Sequence, residues 1–271
     1  MSFYRMQYYF VPLFLSMGVN ALASTSTKEF PGRAIYPSVA IIDIQALFAS
    51  LDRVTVVDVR SSYEYNTLRI KGAINIPLSS PRFVAEMRKL RSKTEAAIVV
   101  YCNGKTCMKS YKAAVKSAKN NISEVISYDA GVMDWAKRYP KHAVLLGKSP
   151  IDPSRLISKK DFQKHLLTPD DYGDYMASSS ALVLDVRDRF QREGISIFVG
   201  RERRAYLDDK SSLNKYIAKA KQENRTLLIH DAAGKQVRWL QYYLKEKGVK
   251  RYYFMKGGVS AYYNEMKQDF N

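Results

Sequence analysis

The chain has 271 residues, 46% of them apolar, and 44 basic against 26 acidic side chains give a net charge of +18. That length holds one large domain or two medium ones at roughly 100–200 residues each, and that composition excludes a disordered chain. Two cysteines exclude a disulfide-stapled scaffold and a Cys-rich zinc site, and three scattered histidines (His142, His165, His230) lack metal-ligand spacing, so no metal is expected.

Residues 1–23 differ from the rest. Arg5 is their only charge, an apolar stretch runs from Tyr8 to Val19, and Ala21-Leu22-Ala23 precedes a Ser/Thr-rich stretch. This charged, apolar, small-residue order predicts a secretory signal peptide cut near Ala23/Ser24. The apolar run is about twelve residues, short of the roughly twenty that span a bilayer. Export to an oxidising compartment, most simply a bacterial periplasm, is the expectation; contact with a membrane would follow only from an uncleaved segment.

Beyond residue 37 the chain alternates strand and helix signals. Ser38–Ser50 predicts a short strand and then a helix, 54–59 (VTVVDV) a buried strand, and Ala73–Ile76 another short strand. Ser80–Arg91 places Phe83, Val84, Met87 and Leu90 at helical spacing. A strand is predicted at 97–101, a helix at Met108–Asn120 and a strand at Glu124–Tyr128. Strands separated by helices imply a mostly parallel sheet covered on both faces.

The pattern then repeats. Ala181–Arg187 (ALVLDVR) echoes Val54–Arg60 (VTVVDVR), and Thr226–His230 echoes Ala97–Tyr101. Gly257-Gly258-Val259 echoes Ala130-Gly131-Val132. Asp58 and Asp185 lie 127 residues apart, as do Gly131 and Gly258. Two landmarks at one offset predict a tandem duplication with units at 38–146 and 158–271, joined by a Pro/Gly-rich linker at 147–157.

Both cysteines fall in one stretch, Cys102 to Cys107, between a predicted buried strand and a predicted helix. A Gly-containing loop there directs N–H groups inward, and the helix N-terminus adds positive potential. Such a cradle favours an anion, so the Cys102 thiol is expected below its free value of about 8.5 and ready as a nucleophile. Lys105 and Lys109 add positive charge. Two thiols five residues apart fit a reversible disulfide, an attack of Cys107 on a sulfur carried by Cys102, or a Cys107 that only fills space.

The first unit resembles the rhodanese family of sulfurtransferases. The matching residues are Asp58-Val59-Arg60, Glu64-Tyr65, Ile70–Leu78, Tyr101-Cys102 with its loop, Ala113-Ala114, Tyr128–Gly131 and Trp135. The resemblance implies an α/β fold of two tandem rhodanese-like domains, each a small mostly parallel sheet flanked by helices. It implies Cys102 as the catalytic cysteine that carries sulfur as a persulfide, held by a binding loop of Asn103, Gly104, Lys105, Thr106, Cys107 and Met108. Cys107 is the candidate redox partner. Thiosulfate or a similar small anion would be the donor and a thiol or cyanide the acceptor, with a periplasmic protein as a further candidate partner and no cofactor. Two departures stand out. Arg69 occupies a position where many members have His, and Cys107 stands where the loop usually ends in a basic residue. Met108 in place of a phosphate-clamping arginine argues against the related phosphatases.

In the second unit the corresponding loop begins at Asp231, which cannot form a persulfide; Asp231 marks an inactive counterpart. Arg201, Arg203 and Arg204 are either a funnel for a dianionic donor or solvated surface charge. No nucleic-acid-binding pattern is present, and none is expected as a partner. The rival expectation is a non-catalytic persulfide or disulfide carrier, or a redox-sensing module, acting through a protein partner.

Overall fold

The structure is a computed structural model that describes residues 28–178, 180–187 and 196–269. The expected signal peptide, and the first part of the divergent stretch after Arg187, lie outside those residues. No described helix is long and apolar enough to cross a membrane.

Two parallel sheets organise the chain. The first unit contains β1 (Thr55–Asp58), β2 (Leu68–Ile70), β3 (Ile74–Asn75), β4 (Ile98–Tyr101), β5 (Val125–Tyr128) and β6 (Ala143–Leu145). Its sheet runs β3-β1-β4-β5, all parallel, and Ile41 extends the β5 edge by a parallel bridge to Ser127. The second unit contains β7 (Leu166–Leu167), β8 (Leu182–Asp185), β9 (Glu202–Arg204), β10 (Leu227–His230) and β11 (Tyr252–Met255). Its sheet runs β7-β11-β10-β8-β9, also all parallel. The register repeats too: Asp58 pairs with Tyr101, and Asp185 pairs with His230. β4, β8 and β10 are buried along their whole length. They read as unbroken apolar runs because helices cover both faces of a parallel sheet.

Elements the sequence did not announce lie at the edges. β2 pairs antiparallel with β6, Leu68 opposite Leu145, as a ribbon outside the main sheet. Helix Ser62–Thr67 leads into it, started by a capping box. Ser61 Oγ accepts from Glu64 N–H, and Glu64 Oε2 accepts from Ser61 N–H. β9 contains Arg203 and Arg204, so two of the three clustered arginines lie on an edge strand, with Arg201 just before it.

The units share a core. Helix Val237–Glu246 of the second unit inserts Trp239 and Tyr242 among buried residues of the first, including Leu47, Leu68, Ile70 and Trp135. Residues 147–157 are not a free tether. Ile151 and Ile157 are buried in that same cluster, and Ile157 N–H donates to the Tyr242 hydroxyl at 3.0 Å.

Candidate functional site

Cys102 follows the last residue of β4 and is fully buried. The loop then turns tightly, with Cys107 N–H donating to Gly104 C=O at 2.8 Å, before helix Lys109–Ala118 begins. This turn folds the chain back over Cys102. The Cys102 thiol donates to the Cys107 carbonyl at 3.2 Å and lies 3.7 Å from Ser110 Oγ. Both cysteines are free thiols and pack in one cluster with Val57, Val100 and Ala113.

Gly131 holds the loop from behind. Its φ is +73°, and a Cβ there would lie 2.3 Å from Gly104 N and 2.6 Å from Asn103 C. Only glycine allows both that backbone conformation and that approach. Cys102 C=O accepts from Val132 N–H at 3.0 Å, which fixes the strand end to the next helix.

A buried polar chain steadies the loop from the side. Asp58 and Arg60 form a fully buried ion pair. Arg60 Nη1 donates to Asn103 Oδ1 at 3.1 Å, and Asn103 Nδ2 donates to Glu64 Oε1 at 2.9 Å. Both ends of the Asn103 amide are therefore held. Lys109 approaches Glu64 at 3.5 Å. Burial opposes ionisation of Glu64, but the charges of Lys109 and Arg60 and the hydrogen bonds from Asn103 and Ser61 hold its carboxyl below the usual range. The buried Arg60 guanidinium also lies 4.9 Å from the ring of Trp239, a cation–π contact from the second unit.

The electrostatics of the two thiols differ from the sequence expectation. Burial pushes the Cys102 thiol well above its ordinary value, and the hydrogen bond and charge of Cys107 push the same way. Cys107 is instead pushed down to about 6. The neighbouring Cys102 thiol contributes most, followed by the backbone groups of Lys109 and Asn103 and then the Lys109 charge, against the cost of burial. The loop thus places its anion on Cys107, the less buried sulfur, and keeps Cys102 protonated. The lysines are also less available than expected. Lys105 is bound by Glu29 and lies 3.3 Å from Asp134, and Lys109 faces Glu64.

A model of the rhodanese-like domain matches residues 43–138 and again residues 168–265. The chain belongs to the rhodanese-like family. It carries two copies of that domain, and its α/β architecture of helix-flanked parallel sheets is the family's. An HTH-type transcriptional regulator of Mycobacterium tuberculosis is 37% identical over 82 residues, 30% of this chain. The chain spans about a third of that regulator's length, the match covering 34% of it. Among solved structures, a thiosulfate sulfurtransferase from Pseudomonas aeruginosa aligns with 84% of this chain and 43% of its own, at 16% identity and a TM-score of 0.38. A protein from Bacillus halodurans aligns with 54% of this chain and 98% of its own, at 23% identity and a TM-score of 0.36.

The second rhodanese-like domain repeats the loop with a different occupant. Asp231 Oδ1 accepts from Ala233 N–H at 3.0 Å and from Gly234 N–H. Its Oδ2 accepts from Gln236 N–H at 2.6 Å and Val237 N–H at 3.1 Å. Gly258, at φ +62°, backs this loop as Gly131 backs the first, with a virtual Cβ 2.5 Å from Asp231 O. Arg201 and Arg203 bond to the carbonyls of Met176, Gly200 and Glu202, all within their own domain.

His230, Asp185 and Glu202 bring ligand atoms within 4.8 Å of one another, the one such group among the described residues. His230 Nε2 lies 3.8 Å from Asp185 Oδ1 and 3.6 Å from Glu202 Oε2. Asp185 is already gripped by Arg187 through both oxygens, and a cation there would face that guanidinium. The group reads as a buried network in place of the Tyr101 hydroxyl, which in the first domain accepts from Ile70 N–H.

Ser110, Arg60, Glu64 and Trp239 are site residues that the sequence reading left without a role, whereas Asn103 was expected in the binding loop. Only Arg60 and Glu64 carried a signal, as parts of the family match. The contact of Trp239 with Arg60 crosses between domains, and no spacing encodes it.

Proposed function

We propose that the chain is an exported sulfurtransferase that moves sulfane sulfur through a persulfide on Cys102. One observation carries this reading: the second domain's loop, built on the same plan, folds four backbone N–H groups around the Asp231 carboxylate. Such a loop is an anion cradle. Where the second domain fills it with an aspartate side chain, the first offers the side chain of Cys102, which can gain and lose a sulfur atom.

The donor is thiosulfate or another small sulfane compound. The Cys102 thiol gives its proton to the neighbouring Cys107 thiolate, and the Cys102 sulfur attacks the donor's outer sulfur. The donor's S–S bond breaks, and sulfite, or the rest of the donor, leaves with the electron pair. Loop N–H groups between Asn103 and Met108, other than that of Cys107, which is held by Gly104 C=O, take the charge of the bound sulfur. A thiol or cyanide then accepts the sulfur and restores Cys102. Export rests on residues 1–23 and their charged, apolar, small-residue order. A periplasmic thiol protein is the partner that this location suggests.

Thiosulfate:cyanide transferase assays on wild type and Cys102→Ser test the reading. Multiple turnovers by wild type, and their loss in Cys102→Ser with an unchanged circular dichroism spectrum, are expected. Full activity in Cys102→Ser would overturn it. Loading once without turnover would move the assignment to a sulfur carrier.

A further inference from the structure

The geometry points to Cys107 as a resolving residue that releases the Cys102 sulfur as hydrosulfide and leaves a Cys102–Cys107 disulfide. This rests on the persulfide reading above and adds a second outcome to it: persulfide reduction inside one chain, with the rhodanese-like loop serving as a dithiol.

Three observations carry the inference. First, the contact is between the right residues. The Cys102 thiol donates to the Cys107 carbonyl at 3.2 Å, so the backbone of Cys107 lies directly against the Cys102 sulfur. Cys107 is therefore the thiol next to the inner sulfur of a Cys102 persulfide, the atom whose attack expels the outer one. Second, Cys107 is equipped as the attacking group. The backbone of Asn103 and Lys109 addresses its sulfur, and the Lys109 charge lies nearby, so Cys107 is a thiolate at neutral pH. Third, the loop brings the two cysteines together before any reaction. The Gly104–Cys107 turn closes at 2.8 Å, and both side chains share the cluster with Val57 and Val100.

The step balances. The Cys107 thiolate attacks Sγ of the Cys102 hydropersulfide. The bond between Sγ and the sulfane sulfur breaks, and its electron pair leaves with HS⁻. The sulfane sulfur is reduced and the cysteine pair is oxidised to the disulfide. A dithiol reductant of the thioredoxin class must then reopen the pair for another round. Such a chain takes its sulfane donor from reactions that oxidise sulfide to that level, and returns sulfide at the expense of thiols.

The test follows one loaded protein over time. Reduced protein is treated with thiosulfate, freed of donor by desalting without added thiol, and sampled by intact mass, peptide mapping and hydrosulfide assay. In wild type, the species one sulfur heavier should give way to one lighter than the reduced chain by two hydrogens. The lost hydrogens should map to a Cys102–Cys107 bridge, with one hydrosulfide released per chain. Cys107→Ser should load more slowly but keep its extra sulfur and release no hydrosulfide. Persistence of the wild-type persulfide on Cys102, with no bridge, would overturn the resolving role and leave the transferase reading intact. Equal hydrosulfide release by Cys107→Ser would also overturn it. Absence of any added sulfur or bridge in wild type would sink both readings, and sulfur mapped to Cys107 alone would reassign the nucleophile.

Discussion

The loops at Cys102 and Asp231 are the same device given two occupants. Each follows a buried central strand, precedes a helix and is backed by a left-handed glycine whose Cβ would strike the loop backbone. At Asp231 the occupant is a carboxyl group, and four backbone N–H groups satisfy its two oxygens directly. At Cys102 the charge is movable and sits on the neighbouring Cys107. A fixed acceptor stabilises a fold, whereas a thiol pair that shares one proton can be driven through a reaction. The second domain's loop carries no cysteine, and Trp239 shows a structural contribution that this domain makes. Through Arg60 and Asn103 it braces the loop that kept its cysteines.

The bracing gives the largest expected effect. Trp239→Ala removes a buried ring from the shared core and uncovers Arg60. It should cost about 3–5 kcal/mol in denaturant unfolding and slow sulfur loading at Cys102 in the protein that remains folded. Trp239→Phe should recover most of both. A loading rate equal to wild type in Trp239→Ala would separate the domains functionally.

The glycine pair breaks the comparison next. Gly131→Ala forces a Cβ into Gly104 and Asn103 and a left-handed φ on an alanine. Displacing the loop by even an ångström should lower persulfide loading by about a hundredfold. Gly258→Ala imposes the same strain on the other loop and should lower the melting temperature with little change in loading. Equal losses of loading in the two variants would mean that the loops are mechanically one unit.

Asp231→Asn tests the fixed acceptor. The amide keeps one acceptor oxygen for loop N–H groups that a carboxylate had filled from both sides. The expected destabilisation is about 1–3 kcal/mol, read as a lower denaturant midpoint, with sulfur loading unchanged. Loss of loading would show that the second loop senses the first.

How far these features were legible depended on how local their causes are. The central strands announced themselves because buried parallel strands are written as unbroken aliphatic runs, and the repeat followed from them. Cys102 was placed correctly between strand and helix by the residues on either side of it. β9 was hidden because Glu202-Arg203-Arg204 reads as surface, and nothing local marks a charged tripeptide as a sheet edge. β2 and β6 were hidden because Leu68 finds its partner only at Leu145. The thiol electrostatics went the other way from expectation. Loop position and dipole favour a Cys102 thiolate, but the turn from Gly104 to Cys107 buries that sulfur completely, and desolvation then outweighs the dipole. The anionic character passed to Cys107, which burial constrains less.

That inversion is open to a pH experiment with the smallest perturbation. Mapped alkylation by iodoacetamide should report Cys107 as the reactive residue, with a rate that rises through about pH 6 and levels off above it. Cys102 should remain slow throughout that range, because its thiol titrates well above its ordinary value. The same ionisation links to stability, and its sign is fixed. Cys107 titrates near 6 in the folded chain and about 8.5 in the unfolded one. Its thiolate thus adds stability that is complete above the unfolded value and vanishes as pH falls through the folded one. Relative to Cys107→Ser, wild type should therefore gain stability between those two values and show no advantage below the lower. A flat difference across that window, or alkylation centred on Cys102, would return the anion to Cys102 and make the two loops alike after all.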